Sequence, residues 1–196
     1  MKNFFTVSLT SFVFSSALWI IWSFFVVQIE GNPNWLGSVF YLPHAARILC
    51  IVYFGWRAIP ALFLAELWGP DFSIFDLESL INVIPALISV LSVPLALQTL
   101  DWFGFPLGNT SASPLNKRNY KHIALITMIS AIYNSLFVNL MLTKFSMSSQ
   151  EIGIDQIVRF FVGDMLGTTI VLMVLAMILN PIINSQKAKQ SRSIHQ

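Results

Sequence analysis

Four ionisable side chains lie inside stretches of the chain that are otherwise apolar. They are His44, Arg47, Glu66 and Asp164. A charge at the centre of a lipid bilayer costs on the order of 3 kcal/mol, so such side chains face the interior of a helix bundle and mark functional sites. Together they offer an imidazole that titrates near neutral pH, a guanidinium and two carboxylates. This set predicts either a pocket for a small polar or anionic ligand or a buried ion-pair network that only fixes helix packing.

The spacing of these residues also predicts their contacts. His44 and Arg47 are three residues apart, so they share one face of a helix. Counted along straight helices, His44 and Asp164 lie at similar depths and Arg47 about one turn deeper, which predicts an ion pair between Arg47 and Asp164 with His44 beside it. Glu66 lies near the end of its apolar run, where it either joins the pocket or extends to the membrane surface.

Two glycines and two asparagines are predicted to pack helices. Gly163 and Gly167 form a small-x-x-x-small pair, a pattern that lets two backbones approach closely inside a membrane. Asn134 and Asn139 lie together in another apolar run. Their amides predict hydrogen bonds to neighbouring helices.

The sequence contains no pattern typical of an enzyme. It has no phosphate-binding loop, no metal-ligand spacing, no nucleophile elbow and no paired catalytic carboxylates. The single cysteine, Cys50, can form neither a disulfide framework nor a zinc site. The formal charge of +2 is too small to indicate nucleic-acid binding. We therefore expect a protein that is not an enzyme and that holds no metal or cofactor.

The composition predicts that these residues are positioned by membrane helices. The chain has 196 residues, of which 56% are hydrophobic and 10% charged, whereas a soluble domain is about 25% charged. Its mean hydropathy is +0.71. The fold class is therefore an all-α, polytopic transmembrane bundle. A single transmembrane domain is predicted over residues 1–184, followed by a polar, basic cytoplasmic tail over 185–196.

Six apolar runs predict about six spans, since a spanning helix needs about 20 residues. The third run is short, and it is either a tilted span or a re-entrant segment. The sixth run is predicted to end at Asn180 and Pro181. The runs cover residues 4–27, 36–54, 58–68, 80–100, 122–142 and 157–179.

The distribution of basic residues predicts the orientation. With six spans, eight of the 11 lysines and arginines lie on one side of the membrane, which the positive-inside rule makes cytoplasmic. Both termini are then cytoplasmic, and the protein is a multi-pass component of the bacterial inner membrane. Trp35 and Trp68 are predicted at the outer interface, and Trp56 and Trp102 at the inner one. The eight basic residues are Lys2, Arg57, Lys117, Arg118, Lys121, Lys187, Lys189 and Arg192.

Two regions resemble a known family. The first covers Leu42-Pro43-His44-Ala45-Ala46-Arg47 and Phe54-Gly55-Trp56-Arg57-Ala58-Ile59-Pro60-Ala61, and the second covers Phe161-Val162-Gly163-Asp164-Met165-Leu166-Gly167. The first resembles the proline-containing helix, Gly-Arg turn and next helix of the bacterial membrane-associated sensor domains of the first MASE class. The second resembles the late Gly-Asp-x-x-Gly helix of that family. The resemblance implies a shortened, stand-alone sensor-like bundle, with His44 and Arg47 replacing the usual small residues after the proline.

Two functions follow as hypotheses. The first is a sensor-like module that binds a small ligand or partner within the bundle and regulates another membrane or cytoplasmic protein. The alternative is a transport component with a polar substrate site at mid-membrane. In both, Pro43, Pro60 and Pro85 interrupt helices around the pocket. The pocket is expected to open to the periplasm and the outer surface of the bundle to contact the lipid bilayer.

Overall fold

The computed structural model describes residues 3–27, 38–69, 79–105, 117–145 and 153–194. Within these ranges all regular structure is helical and there is no strand, so the predicted all-α bundle is confirmed. The helices are α1 (Phe4–Ile21, continued by a π-helical turn, Trp22–Val27), α2 (Pro43–Phe54), α3 (Ile59–Trp68), α4 (Ser79–Trp102), α5 (Lys117–Phe145) and α6 (Ile154–Ile194).

Five segments of the described chain are long and apolar enough to cross a membrane, close to the six spans predicted. They are Phe4–Val27, Pro43–Trp68, Val83–Trp102, Lys121–Lys144 and Ile154–Leu179. The outward faces of these segments carry large apolar side chains, including Phe5, Phe25 and Met177. Exposed apolar surface of this extent suits contact with lipid rather than water.

The segment Pro43–Trp68 is a hairpin rather than one continuous helix. The chain reverses at Gly55, whose φ of 66° is rarely adopted by residues with a side chain, and a 3-10 turn (Gly55–Ala58) follows. Arg47 Nη2 and Glu66 Oε1 are 3.5 Å apart. In one straight helix these two residues would be separated by about 28 Å, so α2 and α3 must lie antiparallel.

Each arm of this hairpin is about half as long as a membrane span. The 12 residues of α2 and the 10 of α3 measure about 18 and 15 Å, against about 30 Å of hydrocarbon. The segment Pro43–Trp68 is long and apolar enough to cross a membrane once, but it is divided into these two arms.

The helix α2 lies at the centre of the bundle. It contacts each of the other five helices, while α1, α3, α4, α5 and α6 pack side by side around it in that order. Every residue from Pro43 to Val52 is buried. The apolar core is built on this helix, with Ile48 and Cys50 of α2 packed against Leu62, Val90 and Ile126 of its neighbours.

Two predicted helix boundaries are wrong. The second apolar run was expected to be helical from residue 36, but α2 begins only at Pro43, and residues 38–42 are irregular. The sixth run was expected to end at Pro181, but α6 continues to Ile194. A proline removes one hydrogen bond from a helix without ending it when the surroundings tolerate the lost donor.

The irregular residues 38–42 lie against α6 at two glycines. The Tyr41 N–H donates to the Gly163 carbonyl at 2.9 Å. A Cβ atom on Gly163 would overlap the carbonyl oxygen of Ser38, and one on Gly167 would overlap the backbone of Tyr41. The two glycines permit a close backbone approach, as predicted, but to a non-helical segment. Such backbone is tolerated at membrane depth only when it is buried in protein.

Candidate functional site

The structure brings the four predicted ionisable residues together with four uncharged polar ones. We call this set the polar cluster. His44 and Arg47 are 0% exposed, Asp164 is 1% and Glu66 is 7%. Five helices and the irregular segment contribute to it, so the central position of α2 is what allows it to form. The members of the polar cluster are Tyr41, His44, Arg47, Glu66, Ser89, Ser130, Asn134 and Asp164.

The polar cluster lies near the middle of the spans. Asp164 is ten residues from the start of α6 and Asn134 is ten residues before Lys144, so each is about 15 Å from that end of its helix. Ser89 is 13 residues before Trp102, or about 20 Å from that end of α4. Half of a hydrocarbon core is about 15 Å, which places these groups where water is normally absent.

One half of the polar cluster is built by the hairpin. Arg47 Nη2 lies 3.5 Å from Glu66 Oε1, and the Tyr41 hydroxyl donates to the same oxygen at 2.9 Å. The guanidinium carbon of Arg47 is 5.1 Å from the centre of the Tyr41 ring, within the range of a cation–π interaction. The turn at Gly55 is therefore what gives Arg47 its carboxylate partner.

The other half joins α2 to α5 and α6. His44 Nδ1 lies 3.6 Å from Asp164 Oδ2, and the Asn134 amide donates to the same oxygen at 2.6 Å. His44 Nε2 is 3.1 Å from Ser130 Oγ. Asp164 is thus held by an imidazole from one side and by an amide from the other.

The predicted ion pair between Arg47 and Asp164 is wrong, because each residue has a different partner. Arg47 Nη1 donates to the Ser89 carbonyl at 3.1 Å and also to Ser89 Oγ. Ser89 Oγ donates to Asn134 Oδ1 at 2.8 Å, and Asn134 donates to Asp164. Two neutral polar side chains therefore connect the two halves. Depth counted along the apolar runs predicted the direct pair, but Glu66 on the antiparallel arm of the hairpin is the carboxylate that lies beside Arg47.

Several buried atoms of the polar cluster have no hydrogen-bond partner among the described residues. They are Arg47 Nε and Nη2, Glu66 Oε2 and His44 Nδ1. A buried polar group left without a hydrogen bond costs about 1–3 kcal/mol. These atoms include two donors and at least one acceptor that make no hydrogen bond among the described residues.

Three aromatic rings close the polar cluster on the side of α1. Trp19, Trp22 and Tyr41 meet edge to face, with ring centres 5.2 to 5.5 Å apart. Gly69 lies so close to Trp19 that a Cβ atom there would overlap the indole ring. The aromatic residues separate the charges from the lipid-facing surface of α1.

Other predicted placements differ from the structure. The Asn139 amide donates to the Ser135 carbonyl of its own helix at 2.7 Å, so it is not the predicted donor to a neighbouring helix. Trp68 stacks on Phe12, near the middle of α1, and so does not mark an outer interface. The two tryptophans predicted at the inner interface, Trp56 and Trp102, are 70% and 74% exposed. Trp35, predicted at the outer interface, lies outside the described residues.

Tyr41, Ser89 and Ser130 were not among the residues predicted from the sequence to form the cluster. A usable signal existed for two of them. Ser89 lies between Pro85 and Pro94, where helix hydrogen bonding is interrupted. Ser130 precedes Asn134 by four residues and therefore shares its helix face. No comparable signal marked Tyr41, whose role depends on the irregular backbone around it.

The described residues contain no group of three or more His, Cys, Asp or Glu side chains that could hold a metal ion. The arrangement is suited to donating and accepting hydrogen bonds and to holding a proton. The resemblance to membrane-associated sensor domains stays a prediction, because no protein-family model, no curated protein and no solved structure matches the chain.

Proposed function

We propose that the protein is a sensor-like module of the bacterial inner membrane that recognises a small polar ligand in the polar cluster and regulates another protein. The observation that carries this proposal is the continuity of α6. This helix holds Asp164 in the cluster and continues for 30 residues to Ile194, about 45 Å further along its axis.

The part of α6 beyond the membrane is the proposed output. The apolar part of the helix ends at Leu179, and the sequence that follows carries Lys187, Lys189 and Arg192. A shift or rotation of α6 at Asp164 would be transmitted along a continuous helix to this basic segment. A second protein, in the membrane or at its cytoplasmic surface, would respond to that movement.

The charge distribution and the hairpin support a cytoplasmic position for both termini. Basic residues concentrate on one side, and an even number of crossings returns the chain to that side. Reporter fusions after Asn32, Asp76 and Ser148 should score periplasmic, and fusions after Asn109 and Gln190 cytoplasmic. A cytoplasmic score at Asp76 would mean that 43–68 crosses once, and would overturn this topology.

The ligand is expected to be small, polar and not strongly anionic. Glu66 neutralises Arg47, which weakens the preference for an anion that an unpaired guanidinium would give. The atoms with neither a hydrogen bond nor an ion pair among the described residues, Arg47 Nε and Glu66 Oε2, complement a molecule with both donors and acceptors.

Access to the cluster is tested with single cysteines in a Cys50→Ser background. Ser89→Cys and Ser130→Cys place small thiols in the cluster, and Ser15→Cys places a matched thiol on the buried face of α1. A membrane-impermeant thiol reagent added from the periplasmic side should modify positions 89 and 130 but not 15. Equal protection of all three in folded protein would remove the ligand site.

Transmission along α6 is tested separately by distance measurements between spin labels. Labels are placed at Lys121→Cys and Gln190→Cys in nanodiscs, and the protein is compared with and without Asp164→Asn. The control is Thr169→Ala, on the same helix, whose hydroxyl donates only to the Met165 carbonyl. A distance change with Asp164→Asn alone supports transmission; identical distributions in all three proteins contradict it.

A transport role is the second candidate, and the hairpin favours it. Half-length helices and irregular backbone at mid-membrane are features of transporter binding sites. Here α2, α3 and residues 38–42 have both features beside the polar cluster. Proteoliposomes containing a pH-sensitive dye, driven by a potassium diffusion potential, would show a protein-dependent proton flux if the cluster conducts or couples protons. No flux above that of empty liposomes would count against this role.

A further inference from the structure

The close approach of His44 to Asp164 favours a proton on the His44 nitrogen that faces the carboxylate. His44 Nδ1 faces Asp164 Oδ2 at 3.6 Å. A bare Nδ1 and a carboxylate oxygen are both acceptors and would repel each other at this distance. With Asp164 ionised, the one proton of a neutral His44 therefore lies on Nδ1, facing the carboxylate.

The second nitrogen of His44 has a partner that can act in two ways. Nε2 is 3.1 Å from Ser130 Oγ, and Ser130 Oγ is also 3.1 Å from the Thr127 carbonyl. If Nε2 carries no proton, the Ser130 hydroxyl can donate to it. If Nε2 carries a proton, it donates to Ser130 Oγ, and the hydroxyl turns to donate to Thr127. Both arrangements use the same heavy-atom positions.

The charges facing this pair are unbalanced unless it takes up that second proton. Arg47 from α2 contributes one positive charge, and Glu66 from α3 and Asp164 from α6 contribute two negative charges. At this depth α4 and α5 contribute only neutral groups, and the phenol of Tyr41 is neutral as a donor to Glu66. Arg159 lies five residues before Asp164, about 140° around the helix. With a neutral His44 the buried set carries one net negative charge, and a protonated His44 cancels it.

We propose that His44 and Asp164 form a reversible proton-binding site. A proton from water bonds to His44 Nε2, the Ser130 hydroxyl turns from Nε2 to the Thr127 carbonyl, and the cluster becomes electrically neutral. The ligand proposed for this site is a single proton. The inference rests on the cluster being the working site, as proposed above, but it needs no organic ligand.

Nitrogen NMR on labelled histidine can test the site directly. The chain has three histidines, so His122→Gln and His195→Gln leave His44 as the only signal. In nanodiscs, His44 should pass from one protonated ring nitrogen to two as the pH is lowered across the range in which the protein stays folded. A His44 that keeps a single protonated nitrogen throughout, in protein shown to be folded, would overturn the proposal.

The charge count predicts how variants change this titration. Asp164→Asn and Glu66→Gln each remove one negative charge, so the cluster is already neutral without the added proton. Both should lower the proton affinity of His44 at least tenfold, while Ser92→Ala, a nearby neutral change, should leave it unaltered. If neither Asp164→Asn nor Glu66→Gln changed the proton affinity of His44, charge balance would not be the reason that His44 takes up a proton. Thiol access at positions 89 and 130 is independent of this result, so the proton site and the ligand site can fail separately.

Discussion

Helices α1 and α2 pack against each other but have opposite surroundings. In α1 only five of the 18 residues are buried, and the remaining surface includes large apolar side chains that face outward. In α2 ten of the 12 residues are buried, because the other helices enclose it. The polar side chains of α1 are serines and threonines, whereas α2 carries His44 and Arg47. A short helix shielded from lipid can hold charges that a lipid-facing helix cannot.

Because other helices enclose α2, the free-energy cost of placing a charge on it is lower than on a helix that faces lipid. Arg47 has a carboxylate, a backbone carbonyl and a hydroxyl within reach, all from other segments. An isolated ion at this depth would have only hydrocarbon around it, and its insertion would cost on the order of 3 kcal/mol or more. The half-length hairpin therefore explains both the presence of the charges and their position at mid-membrane.

Breaking the ion pair between Arg47 and Glu66 in the hairpin should give the largest loss of stability. Arg47→Ala leaves Glu66 buried without its cation, and Glu66→Ala leaves Arg47 without its anion. Losing one partner of a buried pair costs about 3–5 kcal/mol. The double variant should lose much less than the sum of the two, which unfolding in mixed detergent micelles would measure. Additive losses would mean that the two residues do not stabilise each other.

Filling the contact between α6 and residues 38–42 should have the next largest effect. Gly167→Ala places a Cβ atom against the backbone of Tyr41, which cannot move as a flexible side chain would. Overpacking of this kind costs about 1–3 kcal/mol. The matched control is Gly153→Ala, where the nearest atom would be 4.0 Å away. Equal thermal stability of both variants would show that the irregular segment does not pack as described.

Removing the hydrogen bonds that connect the two halves of the polar cluster should reduce stability moderately. Asn134→Ala leaves Ser89 without an acceptor and Asp164 without its amide donor, at a cost of about 1–3 kcal/mol. Asn139→Ala on the same helix removes only a bond to the Ser135 carbonyl, and should cost less. Unfolding free energies of the pair compare the two asparagines directly, and a reversed order would contradict the proposed connection.

The pattern of the sequence predicted the helices and the break between the second and third apolar runs, but not the side-chain partners within the cluster. Long apolar runs predict spans because a bilayer requires them, and charges inside those runs predict a buried cluster for the same reason. The reversal at Gly55 falls between the second and third apolar runs, but hydropathy could not show whether the short third run is a tilted span or a re-entrant segment. The side chain that pairs with Arg47 depends on where the chain reverses and on how each helix is oriented about its own axis. The contribution of Ser89 was missed because serine is common in apolar runs and is marked only by its neighbours.

The smallest effect is expected for a serine on α1, and it sharpens the comparison most. Ser15 and Ser89 are both buried serines on spanning helices. Ser15 Oγ has no hydrogen-bond partner among the described residues, whereas Ser89 Oγ accepts from Arg47 and donates to Asn134.

Ser15→Ala removes a polar atom that gains nothing in the folded state, so stability should change by less than about 0.5 kcal/mol, and an increase is allowed. Ser89→Ala should cost about 1–3 kcal/mol, because it leaves a buried guanidinium and a buried amide oxygen each short of a partner. The measurement is the unfolding free energy of both variants under one condition. A large loss for Ser15→Ala would mean that α1 contributes polar contacts of its own, and the contrast between the two helices would then not hold.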